Sequence, residues 1–148
     1  SFNLTYALSD PLLMEKVGTV NVPQWVVEIP LEKENIANLI KAKSALGETD
    51  NMLFTTTINL DNEDICEFVF GDEMGHNNKI IYQILGDIRE TDLKIPFNSE
   101  MFKSILQVNK DMEEGKIYVS SMGLMKLEFK TDTIYSEYFM VRKAETSF

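Results

Sequence analysis

The spacing of apolar residues changes along this chain from strand-like alternation to helical spacing and back. A period of two is typical of half-buried strands, whereas apolar residues at i, i+3 and i+4 are typical of a helix with one buried face. Two segments are predicted as helices, 32–46 and 98–109, and Asn98 suits the N-cap of the second. The remaining pattern predicts strands at 2–8, 25–29, 52–60, 64–70, 79–85, 93–97, 116–121, 125–130 and 134–142.

The order of these elements occurs twice. IPLEKENIANLI (29–40) is followed 66 residues later by IPFNSEMFKSIL (95–106). In both copies Ile-Pro ends a strand and a Glu lies in the first helical turn, where a carboxylate suits the positive end of the helix dipole. A strand–helix–strand–strand–strand unit is therefore predicted at 25–86 and again at 92–142. The predicted fold class is α+β, built from a duplicated βαβββ unit.

This doubled unit, preceded by one strand and an extended connector, resembles the C-terminal part of a DNA polymerase sliding clamp, most closely the T-even bacteriophage type. The resemblance is carried by LSDPLLMEK (8–16), VVEIPLEKENIANLIKAKSAL (26–46), KIPFNSEMFKSIL (94–106), GKIYVSS (115–121), KLEFK (126–130) and SEYFMVRKAETSF (136–148). It implies the DNA-clamp fold, with two helices on one face of antiparallel sheets. It also implies a non-enzymatic factor that encircles duplex DNA and tethers a replicative polymerase.

The same resemblance assigns the parts of the chain. Residues 1–10 correspond to the last strand of a truncated first clamp domain, 11–24 to the interdomain connector, and 25–148 to a clamp domain with a short C-terminal tail. The first residue is not Met and strand-like alternation starts at once, so we expect a piece of a longer product. The family type implies a head-to-tail ring of three subunits in the intact protein.

The charge of the chain makes the distribution of its lysines important. The 148 residues have a net charge of −10, which alone disfavours contact with phosphates. On a helical wheel centred on Ile36, however, Lys41 falls about 140° from the apolar stripe. The helices are predicted to expose Lys33, Lys41, Lys103 and Lys110. Exposed lysines are commonly only solvated, but with the resemblance they are predicted to face DNA.

Two further surfaces are implied by the resemblance. A groove between connector and last strand would capture short peptide tails of the polymerase and the clamp loader, although the same residues could be ordinary packing. Its residues would be Val17, Val20, Val22, Phe139, Met140 and Val141. The other surface is a subunit interface, in which segment 2–8 pairs antiparallel with segment 79–85 of another copy. Its residues would be Phe2, Leu4, Tyr6, Ile80, Ile81, Tyr82 and Ile84.

No pattern for other chemistry emerges. Cys66 is the only cysteine and His76 the only histidine, so no disulfide framework or Cys/His metal site is predicted. No cofactor motif is present, no apolar run is long enough to span a membrane, and the expected location is the cytoplasm, that of the host cell if a phage encodes the chain. Two alternatives stay open: an acidic protein-binding adaptor that does not touch DNA, and a small enzyme with an unrecognised site.

Overall fold

The computed structural model describes residues 2–7, 24–46, 50–71 and 79–144. Its elements follow the predicted order with small shifts at their ends. They are β1 (Phe2–Ala7), β2 (Trp25–Leu31), α1 (Lys33–Ser44), β3 (Asn51–Ile58), β4 (Asp64–Gly71), β5 (Lys79–Leu85), β6 (Asp87–Ile88), β7 (Lys94–Asn98), α2 (Ser99–Val108), β8 (Glu114–Ser120), β9 (Leu124–Lys130) and β10 (Ile134–Val141). The predicted α+β class and duplicated βαβββ unit are confirmed.

The two units exchange their first strands. One sheet has the strand order β1-β10-β9-β8-β2-β6 and the other β5-β4-β3-β7. Strand β2 thus leaves its own unit to pair antiparallel with β8, and β7 pairs antiparallel with β3. Because each sheet is completed by the other half, neither half has a sheet of its own, and the two halves form one folding unit.

A single apolar core fills the space between the sheets and the helices. The pleat turns alternate residues inward, so β3 and β9 bury every second residue, and β4 and β8 do the same with one additional buried residue each. Its centre is aromatic: the Phe68 ring lies 5.2 Å from Phe54 and stacks on Phe102 of α2 at 5.4 Å between ring centroids. All three side chains are fully buried. Helix α2 is therefore held directly by the aromatic core.

The helices begin where the sequence places polar caps. The Asn98 side chain accepts a hydrogen bond from the Met101 backbone N–H at 2.9 Å, which confirms the predicted N-cap of α2. At α1 the Glu32 backbone N–H donates to Asn35 Oδ1 at 2.8 Å. The helix ends at Ser44, and Ala45 is its C-cap. The two helices lie side by side.

The link between the halves contains a two-stranded pairing that the sequence does not predict. Asp87–Ile88 forms β6 against β2, and the Arg89 backbone N–H donates to the Val26 carbonyl at 2.7 Å. A Cβ on the preceding Gly86 would lie 3.0 Å from Cys66 Sγ, so glycine lets the link pass close to the core. A two-residue strand has no periodicity, and for that reason the pattern missed it.

The prediction for the first strand is wrong. We expected segment 2–8 to pair antiparallel with segment 79–85 of another copy. In the structure β1 instead pairs parallel with β10 of its own chain, from Phe2 opposite Ile134 to Ala7 opposite Phe139. The physical reason is that β10 would be an edge strand with unpaired backbone groups if β1 were absent, and β1 is a strand of the same chain that can pair with them.

Candidate nucleic-acid interface

The four lysines predicted to face DNA lie on or directly after the two adjacent helices. Lys33 and Lys41 of α1 are exposed, and so is Lys110 in the turn after α2. Lys103 of α2 is half-buried. None of the four belongs to the core, which α1 reaches through Ile36 and Leu39. Their positive charges are therefore placed on the helical side of the molecule.

A fifth helix lysine behaves differently. Lys43 is only 1% exposed, and its Nζ lies 2.7 Å from Glu100 Oε1 in the first turn of α2. The burial of Lys43 was not predicted from the sequence, although its helical spacing indicates it. Residue 43 follows Ile36 by seven positions, which returns to within about 20° of the same helix face. The ion pair joins the end of α1 to the first turn of α2.

The electrostatics of the pair are asymmetric. The Glu100 carboxylate is half-exposed, and the hydrogen bond and positive charge of Lys43 hold its pKa below the ordinary value of 4.5. Lys103 lowers that pKa further, whereas Asp50 raises it slightly. Since Lys43 is buried and occupied by this carboxylate, it adds little field toward solvent. The pair is a tie between the helices, and the exposed lysines carry the positive charge that faces solvent.

Acidic groups accompany the lysines at the start of each helix. Glu32 and Glu34 are exposed at the first turn of α1, as Glu100 is at α2. No Arg lies on either helix, and Arg is the residue that most often reads base edges. A surface of separated lysines interrupted by carboxylates suits weak contacts to a phosphate backbone with no sequence preference.

The predicted peptide groove is only partly described. Val17, Val20 and Val22 lie outside the described residues. On β10, Phe139 and Val141 are half-buried on one face, whereas Met140 is 1% exposed and belongs to the core. The inclusion of Met140 in a surface groove is therefore wrong, because adjacent residues of a strand point to opposite faces. Phe139 and Val141 stay candidates.

An aromatic cluster lies near the same end of the six-stranded sheet. The rings of Trp25 and Tyr118 are 5.8 Å apart, and Lys126 Nζ lies 4.5 Å from the Tyr118 centroid and 5.6 Å from that of Trp25. Lys126 also pairs with Glu128 at 3.3 Å. A shallow depression of about 240 Å³ lies beside the rings, bounded also by Asp87 and Arg89. Sequence analysis did not single out this surface.

The predicted interface strand β5 is the end strand of the four-stranded sheet. Its residues alternate: Ile81 is 46% exposed and Leu85 55%, whereas Tyr82 and Ile84 pack against the core. The Tyr82 hydroxyl accepts a hydrogen bond from Asn35 Nδ2 of α1 at 2.9 Å. Of the β5 residues assigned to an interface, Ile81 is the one that is well exposed, and Ile80, Tyr82 and Ile84 are half-buried.

Nothing among the described residues points to a reaction centre. They contain no group of His, Cys, Asp and Glu arranged to hold a metal ion, and His76 lies outside them. Burial raises the pKa of the Cys66 thiol to about 12, and a thiol that stays protonated is a poor nucleophile. In the same part of the chain no helix is both long and apolar enough to cross a membrane.

Solved structures resemble this arrangement closely in shape and distantly in sequence. DNA polymerase III beta subunit from Thermotoga maritima aligns with a TM-score of 0.62 and 13% identity over 88% of this chain and 34% of its own. The corresponding subunit from Borrelia burgdorferi gives a TM-score of 0.64 and 10% identity over 87% and 33%. The Helicobacter pylori beta clamp gives 0.59 and 14% over 93% and 36%.

The fold is the sliding-clamp fold. No family model matches the sequence, and no curated protein matches it at a significant level. This chain spans about a third of the length of the clamp structures named above. These structures are bacterial clamps, so the T-even phage subtype and its ring of three subunits stay predictions. The likeness shows the clamp architecture, and what the chain binds is argued from its own residues.

Proposed function

We propose that this chain is part of a sliding clamp, a non-enzymatic factor that encloses duplex DNA and tethers a replicative polymerase to it. The observation that carries the proposal is the pair of adjacent helices, which place Lys33, Lys41, Lys103 and Lys110 outside the core of a sliding-clamp fold. The rest of the chain is acidic, with a net charge of −10 for the whole. Positive charge on the helices of an acidic body is what a phosphate-facing bore requires.

In this mechanism the protein stays on DNA because the ring encloses the duplex. A ring that surrounds the duplex cannot leave sideways, so the lysines need only steady the phosphates while the ring moves along them. Each contact is a single ammonium group near solvent, and such contacts are weak and screened by salt. The absence of Arg from both helices fits a protein that must pass over every sequence equally.

The proposed function also includes the binding of partner proteins. Phe139 and Val141 offer apolar surface on the last strand, near the end of the sheet that also carries Trp25 and Tyr118. An apolar surface with few polar groups suits short peptide tails such as those of a polymerase or clamp loader. Phe139→Ala should weaken binding of a peptide from the cognate polymerase tail, whereas Ile134→Ala on an exposed part of the same strand should not.

The decisive experiment compares two quadruple variants of the full chain. The helix variant changes Lys33, Lys41, Lys103 and Lys110 to Ala. The strand variant replaces four exposed strand lysines with Ala, namely Lys79, Lys94, Lys116 and Lys130. Both variants have the same net charge, so they separate the position of the lysines from the total charge. Affinity for a nonspecific duplex is measured by fluorescence anisotropy against salt concentration.

The helix variant should bind DNA more weakly, and the slope of log affinity against log salt should shrink by about 0.9 for each phosphate that the protein no longer neutralises. The strand variant should keep most of the slope. Exposed changes of this kind rarely cost more than about 0.5 kcal/mol each, so both variants should stay folded. Equal behaviour of the two variants would contradict the DNA-facing assignment and favour the acidic adaptor.

A further inference from the structure

The outer face of the four-stranded sheet carries a row of apolar side chains that crosses all four strands. In the strand register Leu53 stands opposite Pro96 on one side and opposite Val69 on the other, and Val69 stands opposite Ile81. All four point outward, because the alternate residues of these strands fill or contact the core. Directly opposed residues on one face of a sheet contact each other. These four residues are called the apolar row below.

The next row on the same face is polar, and its groups bond to one another. It contains Thr55, Glu67 and Gln83. The Glu67 carboxylate accepts hydrogen bonds from Thr55 Oγ1 at 3.2 Å and from Gln83 Nε2 at 2.7 Å. The apolar row differs, since Ile81 is 46% exposed, its other three members are half-buried, and none of the four belongs to the core. Its apolar surface can therefore be buried further by another segment.

The chain reaches one end of the apolar row just after β10. The Lys143 backbone N–H donates to the Pro96 carbonyl at 2.9 Å, so the chain lies beside β7 at this point. Lys143 Nζ lies 2.7 Å from Asn51 Oδ1 and 3.5 Å from Asp50 Oδ1. Asn51 lies two residues before Leu53 on β3 and therefore on the same face of the sheet. The Lys143 side chain thus already extends onto the face that carries the apolar row.

The segment that follows in the sequence has the length and the anchor to cover this row. Residues 145–148 read ETSF and lie outside the described part of the chain, and Phe148 is the one large apolar residue among them. Neighbouring strands are about 4.8 Å apart, so Val69 lies about 10 Å and Ile81 about 14 Å from the Pro96 end of the row. Four extended residues span about 13 Å. The segment can therefore bring the Phe148 ring to a position between Val69 and Ile81.

We propose that the apolar row is the docking site of segment 145–148, with the Phe148 ring packed between Val69 and Ile81. The occupant is this chain's own segment, because the Lys143 contacts deliver it at one end of the row. Burial of an aromatic ring against aliphatic side chains stabilises the docked form, and the short connection keeps the loop-closure entropy small. The inference goes beyond the proposed function and does not rest on it. Its test contains neither DNA nor a partner protein, so the two can fail separately.

The experiment measures disulfide formation between a cysteine in the segment and a cysteine on the sheet. Ser147→Cys is combined in the full chain either with Val69→Cys, on the apolar row, or with Thr55→Cys, the matched control on the polar row. Thr55 lies about 8 Å from Pro96 and Val69 about 10 Å, so the control position is the nearer one. The native Cys66 thiol does not compete, because it is buried and burial raises its pKa to about 12. Oxidised glutathione is the oxidant, and mass spectrometry quantifies the cross-linked peptides.

The Val69→Cys form should cross-link about tenfold faster than the Thr55→Cys form, because docking raises the effective concentration of the two thiols. Adding Phe148→Ala should remove this preference, whereas Phe148→Leu, which keeps an apolar anchor, should retain most of it. An undocked segment would meet the nearer Thr55 position at least as often. Equal rates or a faster control would therefore overturn the proposal, and so would a preference that survives Phe148→Ala.

A second measurement leaves the sheet unchanged. Methyl NMR spectra of the unchanged chain and of Phe148→Ala are compared. The ring current of Phe148 should displace the methyl signals of Val69 and Ile81 in the unchanged chain only, and the methyl signals of Ile134, exposed on the other sheet, should be the same in both. If the Val69 and Ile81 signals do not differ between the two chains, the segment does not dock on the row, whatever the cysteine variants show.

Discussion

The two halves hold equivalent helices against the core by different chemistry. In the second half, α2 buries Phe102, Ile105 and Leu106, and Phe102 stacks on Phe68. In the first half, α1 buries Ile36 and Leu39, whereas Ile40, the counterpart of Leu106, is only half-buried. The two halves have the same order of elements. Helix α2 is nevertheless anchored by a larger apolar face than α1, and α1 has additional support of another kind.

That support is polar. The equivalent position at the end of each helix, 66 residues apart, is buried in both halves, as Lys43 in the first and Asn109 in the second. Asn109 bonds within its own half, where its Oδ1 accepts from Ser136 Oγ at 3.0 Å. Lys43 bonds across the halves to Glu100. Helix α1 thus makes a polar contact to α2 at this position, whereas the Asn109 side chain bonds to Ile105 and Ser136 of its own half.

The test of this asymmetry with the largest expected effect removes the central apolar side chain of each helix. Phe102→Ala should lower the free energy of unfolding by about 4 kcal/mol, and Ile36→Ala by about 3 kcal/mol, because each leaves a cavity and the phenyl cavity is larger. Urea denaturation followed by circular dichroism measures both. If Ile36→Ala proves more costly than Phe102→Ala, the second helix is not the better anchored one.

The next test exchanges the buried polar anchors for apolar residues. Asn109→Leu leaves the Ser136 hydroxyl and the Ile105 carbonyl without their side-chain partner, which should cost about 1–3 kcal/mol. Adding Ser136→Ala should recover part of that stability. Lys43→Met should stay within about 1 kcal/mol of the unchanged chain, since Glu100 is half-exposed and can return to water. A larger destabilisation by Lys43→Met than by Asn109→Leu would show that Lys43, and not Asn109, is the more important polar anchor.

Acid should weaken the cross-helix tie selectively. The pKa of Glu100 is lowered in the folded state, so the ionised carboxylate stabilises the fold above its ordinary pKa, and this stability is lost as pH falls through the lowered value. Melting temperatures measured from about pH 6 to about pH 3 should therefore depend less on pH in Glu100→Gln than in the unchanged chain. Glu34→Gln, the matched change in α1, removes the same charge at a position that forms no ion pair among the described residues. The change in pH dependence should be larger for Glu100→Gln than for this control.

Much of the fold could be predicted because the informative signals are local. Alternation and helical spacing located both helices and nearly all strands, and Asn98 marked the start of α2. The exchange of β2 and β7 between the halves could not be predicted in this way. Pairing partners are chosen by three-dimensional packing, and β2 has the same pattern beside β3 as beside β8.

The candidate site was predicted less completely for a related reason. Helical geometry placed Lys33 and Lys41 outside the core, since this depends only on residues within one helix. The same geometry could have located Lys43 on the apolar face but was not applied to it, and its partner lies 57 residues later and becomes apparent only when the helices meet. The placement of β1 was mispredicted because an edge strand takes whichever partner packing supplies.

The test with the smallest expected effect concerns the hydrogen bond that joins α1 to β5, the end strand of the four-stranded sheet. Asn35 Nδ2 donates to the Tyr82 hydroxyl at 2.9 Å, and the oxygen of the same amide accepts from the Glu32 backbone N–H. Tyr82→Phe removes this bond and keeps the ring, so the free energy of unfolding should fall by about 0.5–1 kcal/mol. Asn35 is half-buried, so water can replace part of the missing bond, which keeps the cost low.

Tyr135→Phe is the matched control on the opposite sheet, where the hydroxyl donates to Glu128 Oε2 at 2.9 Å. Hydrogen exchange of the β5 amides should quicken in Tyr82→Phe and stay unchanged in Tyr135→Phe, because only the first change frees the edge strand from α1. If β5 exchanges at the same rate in both variants, the edge strand is held by its pairing with β4 alone, and α1 contributes nothing to its order.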